Sequence, residues 1–474
     1  MRVVKSQFEV IDLTKTNVNY FSSNVAQPEI SEDSKAKRYL WKIENVAPFE
    51  YEPFNYNLED YSPTVELSPV QFEMDGFEGD LSNWESFGNW INTLNATKGV
   101  FNEEEIRHIK NLGLEKDNTL ETIKSVYAYL QNTTRYVSIQ IGIGGYQPFA
   151  SSFVHEKKYG DCKALSNYTH ALLKLFNIKS YYTLINAGDY KADLLTKHPK
   201  PRFNHAILSV PIKNDTIFLE CTSQTNPFGY SGLFTGNRKA LLIKKDASRI
   251  INSKHYKPSD NQQNTNILVA LDPNGVNAAV TIEKRFTGTE IEDNNFLYQY
   301  FKSKTDFKDW VSDNYNWGNI KIDSLKRIDL KEDSVLPEGG YYIRFRSPLE
   351  VVKRGNRIFI SPKKYLSGSI RPRKLKVRKT PIRIRFGRHY TDSIEYQVPK
   401  AYKIENNQKQ IEIKSEFGYY LRAVVKKENK IFVRRLFYLN DGRYNPEDYN
   451  ALYGFLIAVN KNDAKKIILV KNDS

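Results

Sequence analysis

A run of apolar side chains at helical spacing constrains the fold more than any other feature, and it follows a Gly-Asp-Cys-Lys stretch at residues 160–163. The run consists of Leu165, Tyr168, Thr169, Leu172 and Phe176. Offsets of three, four and seven residues put these side chains on one face, which predicts a buried helix. Cys162 then lies in the first turn, where free backbone N–H groups and the positive end of the helix dipole stabilise a thiolate. This position favours a nucleophilic cysteine over one that only packs.

Composition sets broad bounds on the class of protein. The chain has 474 residues, enough for two or three domains, and its hydrophobic fraction of 40% is sufficient for sizeable cores. Alternating segments rich in Tyr, Thr and Ile predict much β structure. Cys162 and Cys221 are the two cysteines, so the sequence allows at most one disulfide bridge and leaves the redox compartment open.

The order of the predicted elements indicates an α+β protein of three parts. Residues 1–79 contain strand-like segments, too few for an independent sandwich, and are interpreted as a partial β region. Residues 80–257 contain several predicted helices followed by three strands of an antiparallel sheet. A polar stretch without periodicity then marks a boundary. Residues 265–474 are predicted to form a C-terminal β-sandwich with a late helix, which Asn445-Pro446 starts.

Four local predictions concern the surroundings of the cysteine helix and the C-terminal strands. Ser82 and Glu85 have the spacing of a capping box, which predicts a helix that begins after Ser82. Residues 136–141 are predicted to form a strand, and the glycine-rich segment 142–145 a flexible surface turn. Residues 421–438 are predicted to form one long strand.

The formal net charge of +15 could favour an anionic partner, but it does not choose among nucleic acid, a membrane surface and acidic glycans. Residues 371–388 hold nine basic side chains and no acidic one. Within them, residues 381–386 alternate as a strand with one charged face. A solvated outer face of the sandwich is favoured over a polymer-binding site, because no aromatic side chain is interleaved at stacking spacing until Phe386. Nucleic acid is therefore not a favoured partner.

Several further classes of protein lack support in the sequence. There is no His-Glu-x-x-His motif, no cysteine pair with zinc spacing and no EF-hand-type loop, so we predict neither a metal nor another cofactor. No apolar run approaches the ~18 residues of a membrane helix, and the first residues lack the apolar segment of a signal peptide. As written, the chain would be soluble and cytoplasmic, without a membrane span, but the sequence leaves its location open. The sequence leaves its oligomeric state open.

A thiolate nucleophile needs a base nearby and a third group that orients the base. Among seven histidines, His205 stands out because it lies near the start of a predicted strand. Fifteen residues later, Glu220 ends the neighbouring strand, where a carboxylate could accept the second imidazole N–H. Taken singly, a lone cysteine is usually a buried small hydrophobe, and a lone strand histidine is usually structural. The joint order on helix, strand and strand favours a catalytic constellation of Cys162, His205 and Glu220.

Five segments together resemble the transglutaminase-like superfamily, both in order and in spacing. They are Tyr136 to Pro148, Tyr159 to Lys163, Phe203 to Ala206, Phe218 to Thr222 and Asn226 to Gly229. The resemblance covers about residues 119–244 and points to a bacterial branch in which a β domain lies on each side of the core. The segment from Ile267 onward resembles the C-terminal β domain of that branch, through Tyr396 to Pro399 and Ser415 to Tyr419.

The resemblance implies a papain-like core with a Cys-His-acid triad. Cys162 would be the nucleophile, His205 the base and Glu220 the third member. The family usually has aspartate followed by proline at this last position. Glu220 is one methylene longer, which alters the geometry more than the chemistry. The implied reaction is acyl transfer through a thioester on a protein or peptide substrate, with cross-linking, deamidation, or hydrolysis of an amide or peptide bond as the result.

The oxyanion of such a reaction would be bound by the Cys162 backbone N–H and one upstream side chain. Gln140 and Gln147 are the candidates, and Tyr146 is a further candidate for the substrate site. The second cysteine, Cys221, has two interpretations. It is either a redox partner for Cys162 or a buried core residue, and the core residue is favoured.

An alternative hypothesis assumes the same fold but no catalytic activity. In it, a catalytically inactive transglutaminase-like protein serves as a binding module at the bacterial cell envelope. Members of the family usually begin with a signal peptide and a full β domain, and they are exported to the periplasm or cell surface. Residues 1–79 would be at most the tail of that domain. A reactive Cys162 favours the enzyme, whereas an inert Cys162 with a tight macromolecular ligand favours the module.

Overall fold

The protein forms two compact units, each built from strands and helices, in the α+β class. The first unit contains Met1–Tyr51 and Tyr56–His255, and the second contains Glu52–Asn55 and Tyr256–Ser474. The finer division at residue 79 stays a prediction. The computed structural model describes residues 2–15, 18–48, 50–55, 61–189, 191–273, 277–315, 320–331, 336–348, 352–405 and 408–472.

The first unit begins with strands that pair antiparallel. These strands are β1 (Val3–Asp12), β2 (Val18–Ser23), β3 (Glu29–Glu32), β4 (Lys37–Val46), β5 (Thr64–Pro69), β6 (Gln71–Met74) and β7 (Phe77–Asp80). Three of them form a sheet of order β1-β4-β3, and the others form the pairs β2-β5 and β6-β7. The buried rings of Tyr39 and Trp41 on β4 lie 5.8 and 5.4 Å from the ring of Tyr20 on β2. Aromatic packing therefore joins the three-stranded sheet to the β2-β5 pair.

Helices with amphipathic faces follow these strands. In chain order the elements are α1 (Trp84–Asn95), α2 (Glu103–Asn111), α3 (Thr119–Thr133), β8 (Arg135–Tyr136), a 3₁₀ helix (Gly142–Gly145), α4 (Ser151–Lys157), β9 (Tyr159–Gly160) and α5 (Cys162–Leu175). The N-cap of α1 is Asn83 rather than Ser82, because the Asn83 side chain accepts the Ser86 backbone N–H at 2.9 Å. The predicted N-cap is therefore displaced by one residue.

The strand predicted at residues 136–141 is wrong for most of its length. Tyr136 pairs in parallel with Gly160, and the Val137 N–H donates to the Gly160 carbonyl at 2.9 Å. The partner strand β9 has only two residues, so no further backbone groups of β9 are available to pair with residues after Val137. The glycine-rich segment 142–145 is a 3₁₀ helix, not the predicted flexible turn.

A five-stranded antiparallel sheet completes the first unit. Its order is β12-β11-β10-β13-β14, and the elements are β10 (Tyr181–Ile185), β11 (His205–Ile212), β12 (Asp215–Leu219), α6 (Gly232–Thr235), β13 (Lys239–Leu242) and β14 (Arg249–Asn252). Leu165 and Leu172 on α5 share a buried cluster with Leu208 and Val210 on β11. The apolar stripe of α5 thus packs on the sheet, as its spacing predicted.

The second unit is dominated by an eight-stranded sheet. Its order is β17-β18-β16-β15-β22-β26-β25-β24, a four-stranded sheet has the order β19-β20-β28-β23, and β21 pairs with β27. The elements are β15 (Gln262–Leu271), β16 (Asn277–Thr287), α7 (Glu290–Asp293), α8 (Phe296–Tyr300), α9 (Lys304–Tyr315), β17 (Lys321–Ile328), β18 (Glu338–Pro348), β19 (Val352–Arg354), β20 (Arg357–Ile360), a 3₁₀ helix (Pro362–Lys364), β21 (Ile382–Ile384), β22 (Arg388–Gln397), β23 (Tyr402–Ile404), β24 (Ile411–Ser415), β25 (Gly418–Lys427), β26 (Lys430–Leu439), β27 (Gly442–Tyr444), a 3₁₀ helix (Pro446–Asp448), α10 (Tyr449–Asp463) and β28 (Ile467–Lys471).

One apolar core joins the two larger sheets of this unit. Ile267 and Ile282 of the eight-stranded sheet lie in the same cluster as Ile358 and Ile467 of the four-stranded sheet. The two sheets therefore share one apolar core, and their arrangement as a sandwich stays a prediction. The late helix α10 contributes buried side chains to a second cluster on the eight-stranded sheet, in agreement with the cap-and-proline signal at its start.

The single long strand predicted at residues 421–438 is a hairpin of β25 and β26. The chain turns between them at Glu428, whose φ of +52° lies in the left-handed region. A cluster of charged residues at this point interrupts the apolar alternation on either side. Because these side chains favour solvent, they lie at the turn rather than within a strand.

The basic segment 371–388 divides into buried and exposed cations. Arg378 is buried, and its guanidinium donates to the carbonyls of Pro53, Thr380 and Pro381. The predicted strand at 381–386 is shortened to β21, where Ile382 and Ile384 are buried. The exposed cations are Arg371, Arg373, Lys374, Lys376 and Lys379.

Candidate active site

The first turn of α5 is fixed by the two residues that flank Cys162. Asp161 is the N-cap, and its carboxylate accepts the Ala164 backbone N–H at 2.9 Å. The ammonium of Lys163 contacts the same carboxylate, and both side chains are buried. Cys162 is the first residue of the helix and only 3% exposed. A Cβ on Gly160 would approach the Ala164 Cβ to 2.8 Å, so glycine permits the close approach of β9 to α5.

His205 and Glu220 are brought together by the hairpin of β11 and β12. The Nε2 atom of His205 lies 3.0 and 2.9 Å from the two carboxylate oxygens of Glu220. Thr222 donates to the same carboxylate from its backbone N–H at 3.2 Å and its hydroxyl at 2.6 Å. Glu220 is therefore held in place by a third residue, which sequence reasoning missed.

His205 and Glu220 each favour the charged form of the other. Burial alone would lower the pKa of His205, but the Glu220 charge and hydrogen bonds with Cys162 and Glu220 raise the pKa to about 10. Burial would likewise raise the pKa of Glu220, but His205 and Thr222 lower it. Both shifts favour an imidazolium paired with a carboxylate. Because Nε2 faces Glu220, Nδ1 is the imidazole nitrogen left for Cys162.

Two aromatic residues near this cluster carried no signal in the sequence. The Phe234 ring lies 5.1 Å from the His205 ring in an edge-on arrangement and is 47% exposed, so it forms part of the surface over the imidazole. Tyr182 lies in the same buried cluster as Cys162. Its hydroxyl has no hydrogen-bond partner among the described residues. Burial, with Cys162 and Asp161 nearby, raises the pKa of Tyr182, so this hydroxyl keeps its proton.

The three predicted oxyanion and substrate residues lie in different surroundings. Gln140 is exposed, three residues beyond the last hydrogen bond of the β8 segment. The Gln147 side chain donates to the Leu94 carbonyl at 3.4 Å. The Tyr146 ring packs 5.1 Å from the Trp90 ring and joins the cluster that contains Cys162. Their roles in a reaction stay predictions.

Cys221 has the surroundings of a core residue. Both cysteines are free, and Cys221 is buried among apolar side chains of α3, α5 and β11. Burial, partly offset by a hydrogen bond with Thr169, raises the pKa of the Cys221 thiol to about 12. The thiol is therefore a poor nucleophile at neutral pH.

Two classes of site have no counterpart in the described part of the chain. There, no group of three or more His, Cys, Asp or Glu side chains is arranged to hold a metal ion. No helix in the described ranges is long and apolar enough to cross a membrane.

Part of the second unit matches a known protein family. Residues 356–469 match a family described as a domain of unknown function with a solved structure, DUF3858. This segment spans β20 to most of β28.

A likeness over the whole chain is found among solved structures. A crystal structure of a "putative protease" from Parabacteroides distasonis superposes with a TM-score of 0.54 at 14% sequence identity. The superposition covers 99% of this chain and 73% of that one, so the two proteins share a fold. No curated protein matches the chain.

Proposed function

We propose that the protein is a transglutaminase-like cysteine acyltransferase or amidohydrolase that acts on a protein or peptide through Cys162, His205 and Glu220. One observation carries the proposal. A cysteine at a helix N-terminus, a histidine at a strand start and a carboxylate at the end of the next strand form one chain of contacts. This is the arrangement of nucleophile, base and orienting group that acyl transfer requires.

In the proposed mechanism, Cys162 attacks as the thiolate while His205 holds the proton. The sulfur forms a bond to the carbonyl carbon of a glutamine side chain or a peptide. The resulting oxyanion is bound by the Cys162 backbone N–H and a side chain from Gln140, Gln147 or Tyr146. His205 then protonates the leaving amine as its C–N bond breaks, which leaves a thioester. Water or an amine then attacks the thioester carbon and gives a proton to His205, the C–S bond breaks, and Cys162 leaves as the thiolate.

The glutamate in place of the usual aspartate is compatible with this mechanism. Both Glu220 oxygens lie within 3.0 Å of His205 Nε2, so the longer side chain still reaches the imidazole. Thr222 donates from its backbone N–H and its hydroxyl to the same carboxylate. We therefore assign Glu220 the orienting role.

We also infer a papain-like arrangement for residues 80–257. The packing of α5 on an antiparallel sheet supports it, since the helix carries the proposed nucleophile and the sheet carries the proposed base. The protease description of the Parabacteroides distasonis protein is in agreement with a peptide or amide substrate.

The proposal is tested by alkylation of the full chain with iodoacetamide at pH 7.5, followed by mass spectrometry of the two cysteine peptides. Cys162 should be labelled within minutes, and Cys221 should stay unlabelled because its pKa is raised to about 12. Cys162→Ala should lose the fast label, and Cys221→Ala should keep it. Turnover of a glutamine- or amide-based reporter should be lost in Cys162→Ala as well.

An inert Cys162 in the folded protein would overturn the proposal. In that event the alternative of a catalytically inactive binding module at the cell envelope would gain support. Its own test is capture of a macromolecular ligand by both the native chain and Cys162→Ala with equal affinity.

A further inference from the structure

The inner face of the eight-stranded sheet changes from apolar to polar within one layer of residues. The strand register aligns Ile267 with Ile282 and Ile394 in one layer. Two residues further along the strands, the same register aligns Thr265 with Lys284 and Asp392. The apolar core therefore ends at a row of polar and charged side chains, in which Thr265 and Asp392 are buried.

A cavity of about 420 Å³ lies at this polar end of the sheet. It falls within the size range of small-molecule sites, roughly 300–1,000 Å³. Its lining includes Gln263, Lys284, Trp310, Tyr341, Lys364 and Arg388. All of these residues belong to the second unit, so the cavity is distinct from the Cys162 site.

A buried amide group faces this cavity with its donors unused. Gln263 is only 2% exposed, and its Nε2 has no hydrogen-bond partner in the part of the chain that the structure describes. A buried amide of this kind costs free energy unless it is hydrogen-bonded. A ligand that carries an acceptor would satisfy it.

The charges around the cavity are predominantly positive. Three cationic side chains and one carboxylate, Asp293, line it. The Arg388 guanidinium binds Asp293 and also lies 3.5 Å from Glu290 behind the wall. Lys284 and Lys364 add two more positive charges to the lining, which suits an anion.

Lys284 provides a second reason to expect an anion. Burial lowers the pKa of Lys284 to about 8, although Asp392 and Glu290 act in the opposite direction. These two carboxylates thus compensate the burial of the ammonium only in part. A further negative charge in the cavity would favour its protonated form.

One wall of the cavity is aromatic. The rings of Trp310 and Tyr341 lie 5.8 Å apart, nearly perpendicular to each other, and Phe286 and Tyr365 also contribute to the lining. Such a wall provides flat apolar contact for a ring, while the donors lie on the lysine and amide side.

We propose that this cavity binds a small ring compound that carries one carboxylate, such as an acidic sugar or an aromatic acid. The carboxylate lies against Lys284 and the Gln263 amide, and the ring packs on Trp310 and Tyr341. The site does not depend on the proposed chemistry of Cys162.

The test is calorimetric titration of the full chain with galacturonate and with 3-phenylpropionate, each beside its neutral counterpart, galactose or 3-phenylpropionamide. At least one acid should bind, and its neutral counterpart should bind at least about tenfold more weakly, because charge-assisted hydrogen bonds are lost. Binding of galacturonate alone identifies an acidic sugar, and binding of 3-phenylpropionate alone identifies an aromatic acid.

Variants locate the bound acid. Lys284→Met and Gln263→Leu should each weaken binding about tenfold or more. Lys326→Met is the matched control, since Lys326 is an exposed lysine whose register with Tyr342 and Glu283 places it on the opposite face of the same sheet. Thermal unfolding monitors the fold of each variant, and the comparison of acid with neutral compound in the native chain decides the question if a variant does not fold. Absence of binding by both acids, equal binding by a neutral counterpart, or an equal loss in Lys326→Met would overturn the proposal.

Discussion

Two histidines of the first unit are buried to the same extent and have opposite electrostatic behaviour. His205 and His155 are each 8% exposed. The pKa of His205 is raised to about 10, whereas the pKa of His155 is lowered to about 4. The difference does not come from burial, which disfavours the charged form in both cases.

The partners explain the difference. His205 faces the carboxylate of Glu220 at hydrogen-bonding distance. His155 lies between His108, at 3.0 Å from its Nε2, and the Tyr168 hydroxyl, at 2.9 Å from its Nδ1. Burial, with the charges of Lys158 and His108, therefore lowers the pKa of His155.

Position along the chain does not reveal which histidine is which. His155 lies seven residues before Cys162, and His205 lies 43 residues after it. The nearer histidine is part of the helix packing, through Tyr168 on α5. The distant one is the first residue of β11, and its side chain is hydrogen-bonded with Glu220 and Cys162. In this protein the charge of the neighbour, not burial or sequence proximity, distinguishes the candidate base.

The largest expected effect separates the two histidines by reactivity. His205→Ala should slow the alkylation of Cys162 and any turnover by about 10²–10⁴-fold, the usual contribution of a positioned acid–base group. His155→Gln should leave both rates within about threefold. The rates are measured at pH 7.5 on variants whose thermal unfolding has been checked. Equal rates for His205→Ala and the native chain would remove His205 from the mechanism.

The next effect concerns the carboxylate. Glu220→Gln keeps the shape of the side chain and removes its charge, so the pKa of His205 should fall by about 1–3 units. The pKa is measured by NMR titration of the histidine ring signals. Glu156→Gln is the control, because Glu156 is an exposed carboxylate adjacent in sequence to His155. A fall of the same size in the control would contradict the assignment of Glu220 as the group that holds the charge.

The pH dependence of the His205–Glu220 pair has a definite sign. The pKa of His205 is raised, so its contribution to stability is fully present below pH 6.5 and is lost as the pH rises through about 10. The pKa of Glu220 is lowered from 4.5, so its contribution is present above pH 4.5 and is lost on further acidification. The pair therefore stabilises the fold most between about pH 4.5 and 6.5.

The parts of the site that local signals specify could be predicted from the sequence. The apolar spacing after Cys162 and the capping side chain of Asp161 define the start of α5. The hairpin of β11 and β12 has a tight turn, which fixes the register and so brings His205 towards Glu220. These features depend on residues that are close in sequence, which is why pattern and spacing suffice.

The parts that depend on long-range partners could not be predicted. Asn83 and Ser82 are both good N-caps, but the Ser82 hydroxyl donates to the Asp80 carboxylate, and Asn83 caps α1. Phe234 lies on α6 and Tyr182 on β10, two elements that the motifs do not connect with the site. The alternation at residues 136–141 resembles a strand, but the partner that would extend it is only two residues long.

The smallest predicted effect is the pH dependence of the contribution of His155 to stability. The pKa of His155 is lowered from 6.5 to about 4 in the folded protein. As the pH falls below about 6.5, the imidazole is therefore protonated in the unfolded chain but stays neutral in the folded chain. His155 thus destabilises the fold increasingly as the pH falls. The contribution of His205 to the unfolding free energy changes with pH in the opposite direction over the same range. The pH dependence of the total stability therefore does not separate the two histidines. The difference in unfolding free energy between His155→Gln and the native chain isolates the effect, measured by hydrogen exchange of the α5 amides. Between pH 7 and pH 5 this difference should shift by about 1 kcal/mol in favour of the variant, after allowance for screening by nearby water. A shift of the opposite sign would mean that His155 is charged in the folded protein, and the contrast between the two histidines would then fail.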